Sequence, residues 1–321
     1  MTRWLVRRIA QALVTLLIVS VLLFFIIRLT PGDPLSRLTG DRPISPAAVA
    51  QLKHLYGLDQ PLLVQFSAWV RALAHGDLGV SIAQGRDVTT LLAERLPASL
   101  LLGGVVLLLN FTVGLAFGVW QAKRHNQLPD RVLGAISLTA YATPSFLLGL
   151  LLAGLLSVHW HIFPPCCLRD PLATDDGSLA GALDVLHHLV LPVATLSIVS
   201  MAATMRQQRG AMIEALKLDC VRTARAKGLT SGAVTWHAWR NALFPVLTLF
   251  GLWLPLLVTG SVFVESVFAW PGLGLLAYDA ISGRDYPVLM GTSLLVALVV
   301  VLGGFLTDLA YATLDPRVRY R

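Results

Sequence analysis

Six uncharged apolar runs set the rhythm of the chain: residues 9–27, 98–121, 132–158, 189–205, 241–264 and 286–307. Most reach the about 20 residues that an α-helix needs to cross the hydrocarbon core of a bilayer. The run at 189–205 is the shortest, and His187 and His188 before it can extend its helix at the interface. A spanning helix satisfies all its backbone donors and acceptors within one segment, as lipid demands. The pattern predicts an all-α integral membrane protein with six spans and both termini on the same side.

The polar segments between the runs carry their own helix punctuation. After the first run, Ser45 and Pro46 supply an N-cap and a proline at the first helical position, and Gly57 a stop. Pro61 opens a second helix, with Leu62, Phe66, Trp69 and Leu73 at helical spacing and Gly76 at its end. Asp87 caps a third helix running to Leu96, where Pro97 breaks it. Such helices lie on the outer membrane surface, apolar faces down. A soluble outer domain is the alternative, but about 65 residues bury little core alone.

Residues 206–245 form the one long polar stretch of the C-terminal half, held between two apolar runs and therefore on one face of the bilayer. Charge chooses the face. Arg3, Arg7 and Arg8 precede the first run, and Lys123, Arg124 and Arg131 lie between the second and third. Seven more basic residues fall in 206–245, and Arg317, Arg319 and Arg321 follow the sixth run, in all 16 of the 25 Lys and Arg. The short loops on the other side hold only Arg169 and Arg284. By the positive-inside rule both termini and the 206–245 stretch are cytoplasmic. The first run is too long for a signal peptide, and Arg28-Leu29-Thr30-Pro31 is no small-residue cleavage site, so it stays as an anchor.

Composition agrees: 55% hydrophobic and only 13% charged residues exclude two soluble domains. The net charge of +7 is parcelled between apolar runs without aromatic interleaving, which favours membrane topology over nucleic-acid binding. Cys166 and Cys167 are adjacent, a strained pairing, and Cys220 sits in the polar stretch; the three read as incidental. None of Lys53, Lys123, Lys217 and Lys227 follows a glycine, so a phosphate-binding loop is missing, as are His-Glu-x-x-His and Gly-x-Ser-x-Gly. The chain reads as no enzyme, with no catalytic or metal site, and any nucleotide hydrolysis belongs to another chain.

The sharpest string is Arg222-Thr223-Ala224-Arg225-Ala226-Lys227-Gly228. Ala224 and Gly228 are four apart and share one helix face almost free of side chain, fit to enter a groove on another protein. Arg222, Arg225 and Lys227 can donate to carboxylates or helix C-termini around that groove. Leu229-Thr230-Ser231-Gly232 reads as a turn before a second short helix at 234–244. A juxtamembrane basic helix on anionic lipid is the plainer alternative, but it needs no Ala/Gly face.

This string resembles the cytoplasmic "EAA" loop in permease subunits of bacterial ATP-binding-cassette importers, in its peptide/nickel version. Further strings resemble that family in order along nearly the whole chain: Thr30-Pro31-Gly32-Asp33-Pro34, Tyr56-Gly57-Leu58-Asp59-Gln60-Pro61, Gly76-Asp77-Leu78-Gly79-Val80-Ser81, Ala142-Thr143-Pro144-Ser145-Phe146 and Leu191-Pro192-Val193-Ala194-Thr195-Leu196. Phe263-Val264-Glu265, Trp270-Pro271-Gly272-Leu273-Gly274, Arg284-Asp285-Tyr286-Pro287 and Asp315-Pro316-Arg317 continue the series. The resemblance implies the type I importer permease fold in a bacterial inner membrane. It divides the chain into an N-terminal span (1–30), a periplasmic segment (31–97), a transmembrane domain (98–311) and a cytoplasmic tail (312–321). It also implies two ATPase subunits holding ATP and Mg, a second homologous permease making a heterodimer, and a periplasmic binding protein that delivers peptides or a related solute. Residues 222–228 would be the coupling helix.

Pro144, Pro192 and Pro255 mark kinks in the third, fourth and fifth spans, which suit either a bundle opening alternately to its two faces or static bends. Pro144 and Ser145 in the third span, with Gly251, Pro255 and Gly260 in the fifth, are the translocation-pathway candidates. Asn110 in the second span reads as a polar link between helices. A nickel or metal-chelate cargo is the alternative within the family, and His159, His161, Cys166 and Cys167 could form a metal entry site or be ordinary interfacial residues. An ion-coupled transporter would show repeats and paired intramembrane ionisable groups, and an intramembrane enzyme a nucleophile or metal motif within a span; the chain shows none of these.

Overall fold

The computed structural model describes residues 2–29, 47, 50–51, 54, 57, 59–170, 179–256 and 262–314, with side chains from Val6 to Leu309. The helix start at Ser45 and Pro46, Gly260, and the strings at 30–34 and 315–317 lie outside the described residues. Every regular element described is helical. They run α1 (Thr2–Leu29), α2 (Leu62–Ala74), α3 (Val88–Leu109), α4 (Leu115–Lys123), α5 (Leu128–Ala142), α6 (Ser145–Leu152), α7 (Leu179–Ala215) and α8 (Asp219–Ala226), then α9 (Ser231–Ala242), α10 (Phe244–Trp253), α11 (Val262–Val267), α12 (Leu273–Gly283) and α13 (Tyr286–Leu314).

Four apolar runs become continuous spans within α1, α3–α4, α7 and α13, and the third becomes the pair α5–α6, bent by 103°. The bend falls at Pro144, extended at ψ 132°, which starts α6 after Thr143 ends α5. The fifth run is not one helix. Among its described residues are the ten of α10, a turn at Leu254 and Pro255, and the first residues of the short α11. Pro255 lacks the N–H that would continue the ladder.

Two boundaries differ from the sequence reading. Pro97 does not end a short helix but lies inside α3. Leu91 and Leu92 before it pack on Leu273, Leu276 and Val288, and Ala98 and Leu102 after it pack on Leu191 and Trp270. Burial on both sides outweighs one missing helix hydrogen bond. Likewise α7 runs 37 residues, through His187, His188 and Pro192 and on to Ala215, so the first quarter of the polar stretch prolongs a span.

The core follows α7. Its tightest neighbour is α4, reached through a π turn at Asn110–Gly114. Gly114 lies against Met201 and Thr204, and Gly118 against Met205 and Gln208, a small-xxx-small approach of two spanning helices. The π turn aims Asn110 inward, where its Oδ1 accepts from the Ser200 hydroxyl at 3.0 Å, the predicted link. At the opposite edge α1 packs along α13, with Arg8 and Asp308 paired at 2.7 Å. Phe66 and Trp69 of α2 close on Phe24 of α1, so that aromatic face is used within the chain rather than offered to lipid. Outside the spans the His54 imidazole, 2.9 Å away, holds the Asp59 carboxyl below its ordinary range.

Candidate coupling site

The string at 222–228 forms most of α8 and its end. Asp219 stands in the first turn, where a carboxylate meets the positive end of the helix. The end is a Schellman motif: Gly228 N–H donates to Arg225 O at 3.0 Å and Leu229 N–H to Ala224 O at 3.2 Å. Gly228 takes φ +74°, the left-handed region that favours glycine. Thr230 caps α9, its hydroxyl accepting from Ala233 N–H.

The structure separates the two small residues that sequence placed on one docking face. Ala224 turns inward with Val221, against Val234, Ala238 and Ala242 of α9, Met212 and Ala215 of α7, and Ala122 of α4. Gly228 is spent on the helix end. The face left exposed is Arg222, Thr223, Arg225, Ala226 and Lys227. Ala224 matters as packing, because a larger side chain there would lift α8 off α7. The α8–α9 hairpin is thus seated on the end of α7 and presents a basic edge that can meet carboxylates or helix C-termini.

Beside this seat an ion pair joins the third and fourth runs. Asp130, buried, accepts from Arg209 Nε at 2.7 Å and Nη2 at 2.8 Å, and from Asn126 N–H at 2.9 Å. Sequence reasoning missed it, having counted Arg209 only toward topology. Two further knots give physical roles to the strings at 76–81, 263–265, 270–274 and 284–287. Glu265, buried, accepts from the Ser99 hydroxyl at 3.2 Å and from Leu275 N–H at 2.9 Å. Trp270 Nε1 donates to Ala98 O at 2.9 Å, fixing the start of α12 on α3. Asp285 accepts from the Ser81 hydroxyl and the N–H groups of Ile82 and Ala83, tying the Gly76–Ser81 string to the Arg284–Pro287 string 204 residues away.

The pathway candidates come together only in part. Pro144 and Ser145 sit at the α5–α6 bend, and Phe146 lies 6.2 Å from Phe263 of α11. Gly251 faces α13, where an added Cβ would meet Thr307, so it serves helix packing. Pro255 ends α10. His187 and His188 are engaged separately: His187 Nε2 lies 2.9 Å from Ile162 O, and His188 pairs with Asp184 at 3.1 Å. Cys166 and Cys167 are bonded to each other. The turn holding them folds back so that Cys167 N–H donates to Phe268 O at 2.7 Å. Among the described residues no three His, Cys, Asp or Glu side chains converge as a metal would need.

A bundle of long apolar helices, two broken runs and a polar helical hairpin seated on the longest helix define an α-helical membrane transport subunit. Its fold is similar to that of the MetNI methionine ABC transporter solved in inward-facing conformations, with TM-score 0.53 and 20% identity over 71% of this chain and 97% of that one. The chain belongs to the family of binding-protein-dependent transport system inner membrane components, whose pattern matches residues 114–320, with its N-terminal companion over residues 1–103. It is 35% identical to the dipeptide transport system permease protein of Escherichia coli, with 100% of both chains covered. It is 39% identical to the oligopeptide transport system permease protein of Bacillus subtilis, again over 100% of both. The di/tripeptide transport system permease protein of Pseudomonas aeruginosa is also 39% identical over 100% of both chains. This is a family of membrane permeases of bacterial ABC importers rather than of enzymes.

Proposed function

We propose that this permease forms half of a translocation pathway for short peptides, with α8 as the coupling helix that docks into an ATPase subunit. In this reading both termini and the α8–α9 hairpin are cytoplasmic. Two ATPase subunits hold ATP and Mg, a second homologous permease completes the pathway, and a periplasmic binding protein delivers cargo to the opposite end. The observation that carries the reading is the basic outer edge of α8, Arg222, Arg225 and Lys227, over an inner face anchored through Val221 and Ala224 to α7. A push on that edge passes into a single helix of 37 residues, about 55 Å long at 1.5 Å per residue. The Asp130–Arg209 pair then carries it to α5, ahead of the bend at Pro144. ATP binding need only favour one of two packings of the bundle. Peptide cargo is supported by the three relatives named above, all described as peptide permeases.

The double variant Arg222→Glu/Arg225→Glu tests it. Both side chains are exposed, so membrane insertion should be kept while ATPase co-purification and ATP-driven dipeptide uptake fall about tenfold or more, the worth of one or two charge-assisted contacts. Uptake and co-purification at the wild-type level would remove α8 as the docking element.

A further inference from the structure

A cavity of about 700 Å³ opens between α5, α7 and α10, at the end of the bundle that bears α8. The third, fourth and fifth apolar runs meet there, and its size is that of pockets that hold small solutes. Its walls carry Arg131, Arg206 and Arg209 against one carboxylate, Asp130. Asp130 is already engaged by Arg209 through both oxygens. Among the described residues neither Arg131 nor Arg206 meets a carboxylate, which leaves two guanidinium groups uncompensated. Arg206 is instead held over the Tyr141 ring, 5.8 Å from its centre, an arrangement that fixes the group while leaving its N–H edge free. Behind this wall Gln121 is 1% exposed, and its Nε2 donates to Asp130 O at 2.9 Å, which helps hold the carboxylate and its Arg209 partner in place.

We propose that this cavity is a subsite for a small solute bearing a carboxylate, held by Arg131 and Arg206. A short peptide carries that group at its C-terminus. An anionic lipid headgroup or free phosphate shares the negative charge, and the test separates these sources. The subsite rests on the importer reading and its cytoplasmic placement of this end, and adds to it an exit station where cargo pauses before release.

The test uses the intact transport complex, nucleotide-free and without binding protein, in phosphatidylcholine nanodiscs. Radiolabelled Ala-Ala should bind saturably. Its affinity should fall about tenfold or more in Arg131→Gln and in Arg206→Gln, and equally when the probe is the C-terminal amide, the cost of one lost charged hydrogen bond. Both variants must assemble with their partners as the wild type does, and if either does not, the amide comparison on wild-type protein decides alone. Absence of saturable binding, or equal affinity for acid and amide, overturns the proposal. So does binding of inorganic phosphate or phosphatidylglycerol to these arginines with none of Ala-Ala. ATP-driven uptake by the wild-type complex is measured in parallel. Uptake without binding here removes the subsite alone, whereas a complex with no ATP-driven uptake removes the importer reading itself.

Discussion

Replacing Gly118 by alanine adds one methyl group at the closest approach of α4 and α7. That carbon would stand 2.7 Å from Gln208 Cβ, 2.8 Å from Met205 O and 2.9 Å from Gln208 Cγ. Non-bonded carbon contacts are comfortable near 3.5 Å, so the helices must part by about 0.8 Å. The Met205 carbonyl is helix backbone and cannot swing aside as a side-chain tip could. Overpacking of this kind costs about 1–3 kcal/mol, while alanine returns up to about 1 kcal/mol of helix propensity. The net loss is about 1–2 kcal/mol, a shift of about tenfold in the folded-to-unfolded ratio. Two neighbours grade the effect. At Gly114 the nearest atoms to an added Cβ are Met201 and Thr204 at 3.6–3.7 Å, ordinary contact, and at Gly104 nothing lies within 4 Å. Alanine should therefore be nearly neutral at Gly114 and neutral or slightly stabilising at Gly104. Reversible unfolding of the purified permease in mixed micelles measures all three. Gly118→Ala as stable as Gly104→Ala, or Gly114→Ala the worst of the series, would refute the packing of α4 on α7.

Arg209→Gln leaves a buried carboxylate with one backbone donor; because Arg209 is itself 29% exposed, the loss should be about 1–3 kcal/mol, below that of a fully buried pair. A double-mutant cycle with Asp130→Asn should show coupling of about 1 kcal/mol or more, and additivity within error would show that the pair contributes nothing. Gly228→Ala has room for its methyl but must hold φ +74°, a strain of about 1 kcal/mol. Hydrogen exchange at Gly228 and Leu229 should quicken while the unfolding midpoint of the spans stays put, and unchanged exchange would remove the Schellman assignment.

How much could be read in advance follows from which forces act locally. Lipid permits almost nothing but helices, so hydropathy alone located α1, α3–α4, α7 and α13, and the Pro144 bend was legible because proline acts on its own backbone. Pro97 shows the limit of that logic. The same residue type, with the same missing donor, stays inside a helix once Leu91, Leu92, Ala98 and Leu102 are buried on partners about a hundred to two hundred residues away. Pro255 marked a kink in the fifth run for the same local reason, but not a full break: apolar content says that a segment can enter lipid, not that it does so as one helix.

Site residues were harder, because small side chains serve two masters. Four-residue spacing places Ala224 and Gly228 on one helix face but cannot say whether that face meets a partner or the chain's own core. Only the position of α7 decides, and it claims Ala224. The same ambiguity works in reverse for the strings at 76–81, 263–274 and 284–287. Ser81 and Asp285, or Ser99, Glu265 and Trp270, carry no signature apart from each other. Their meaning is pairwise: a carboxylate without spare cations, buried in a membrane protein, must find hydroxyl and backbone donors. Those donors come from strings that chain order keeps far apart. Substitution should expose this pairing. Asp285→Ala and Ser81→Ala loosen one joint, so their effects on stability should overlap rather than add, whereas Asp285→Ala combined with Glu265→Gln strikes two separate joints and should be additive within about 0.5 kcal/mol.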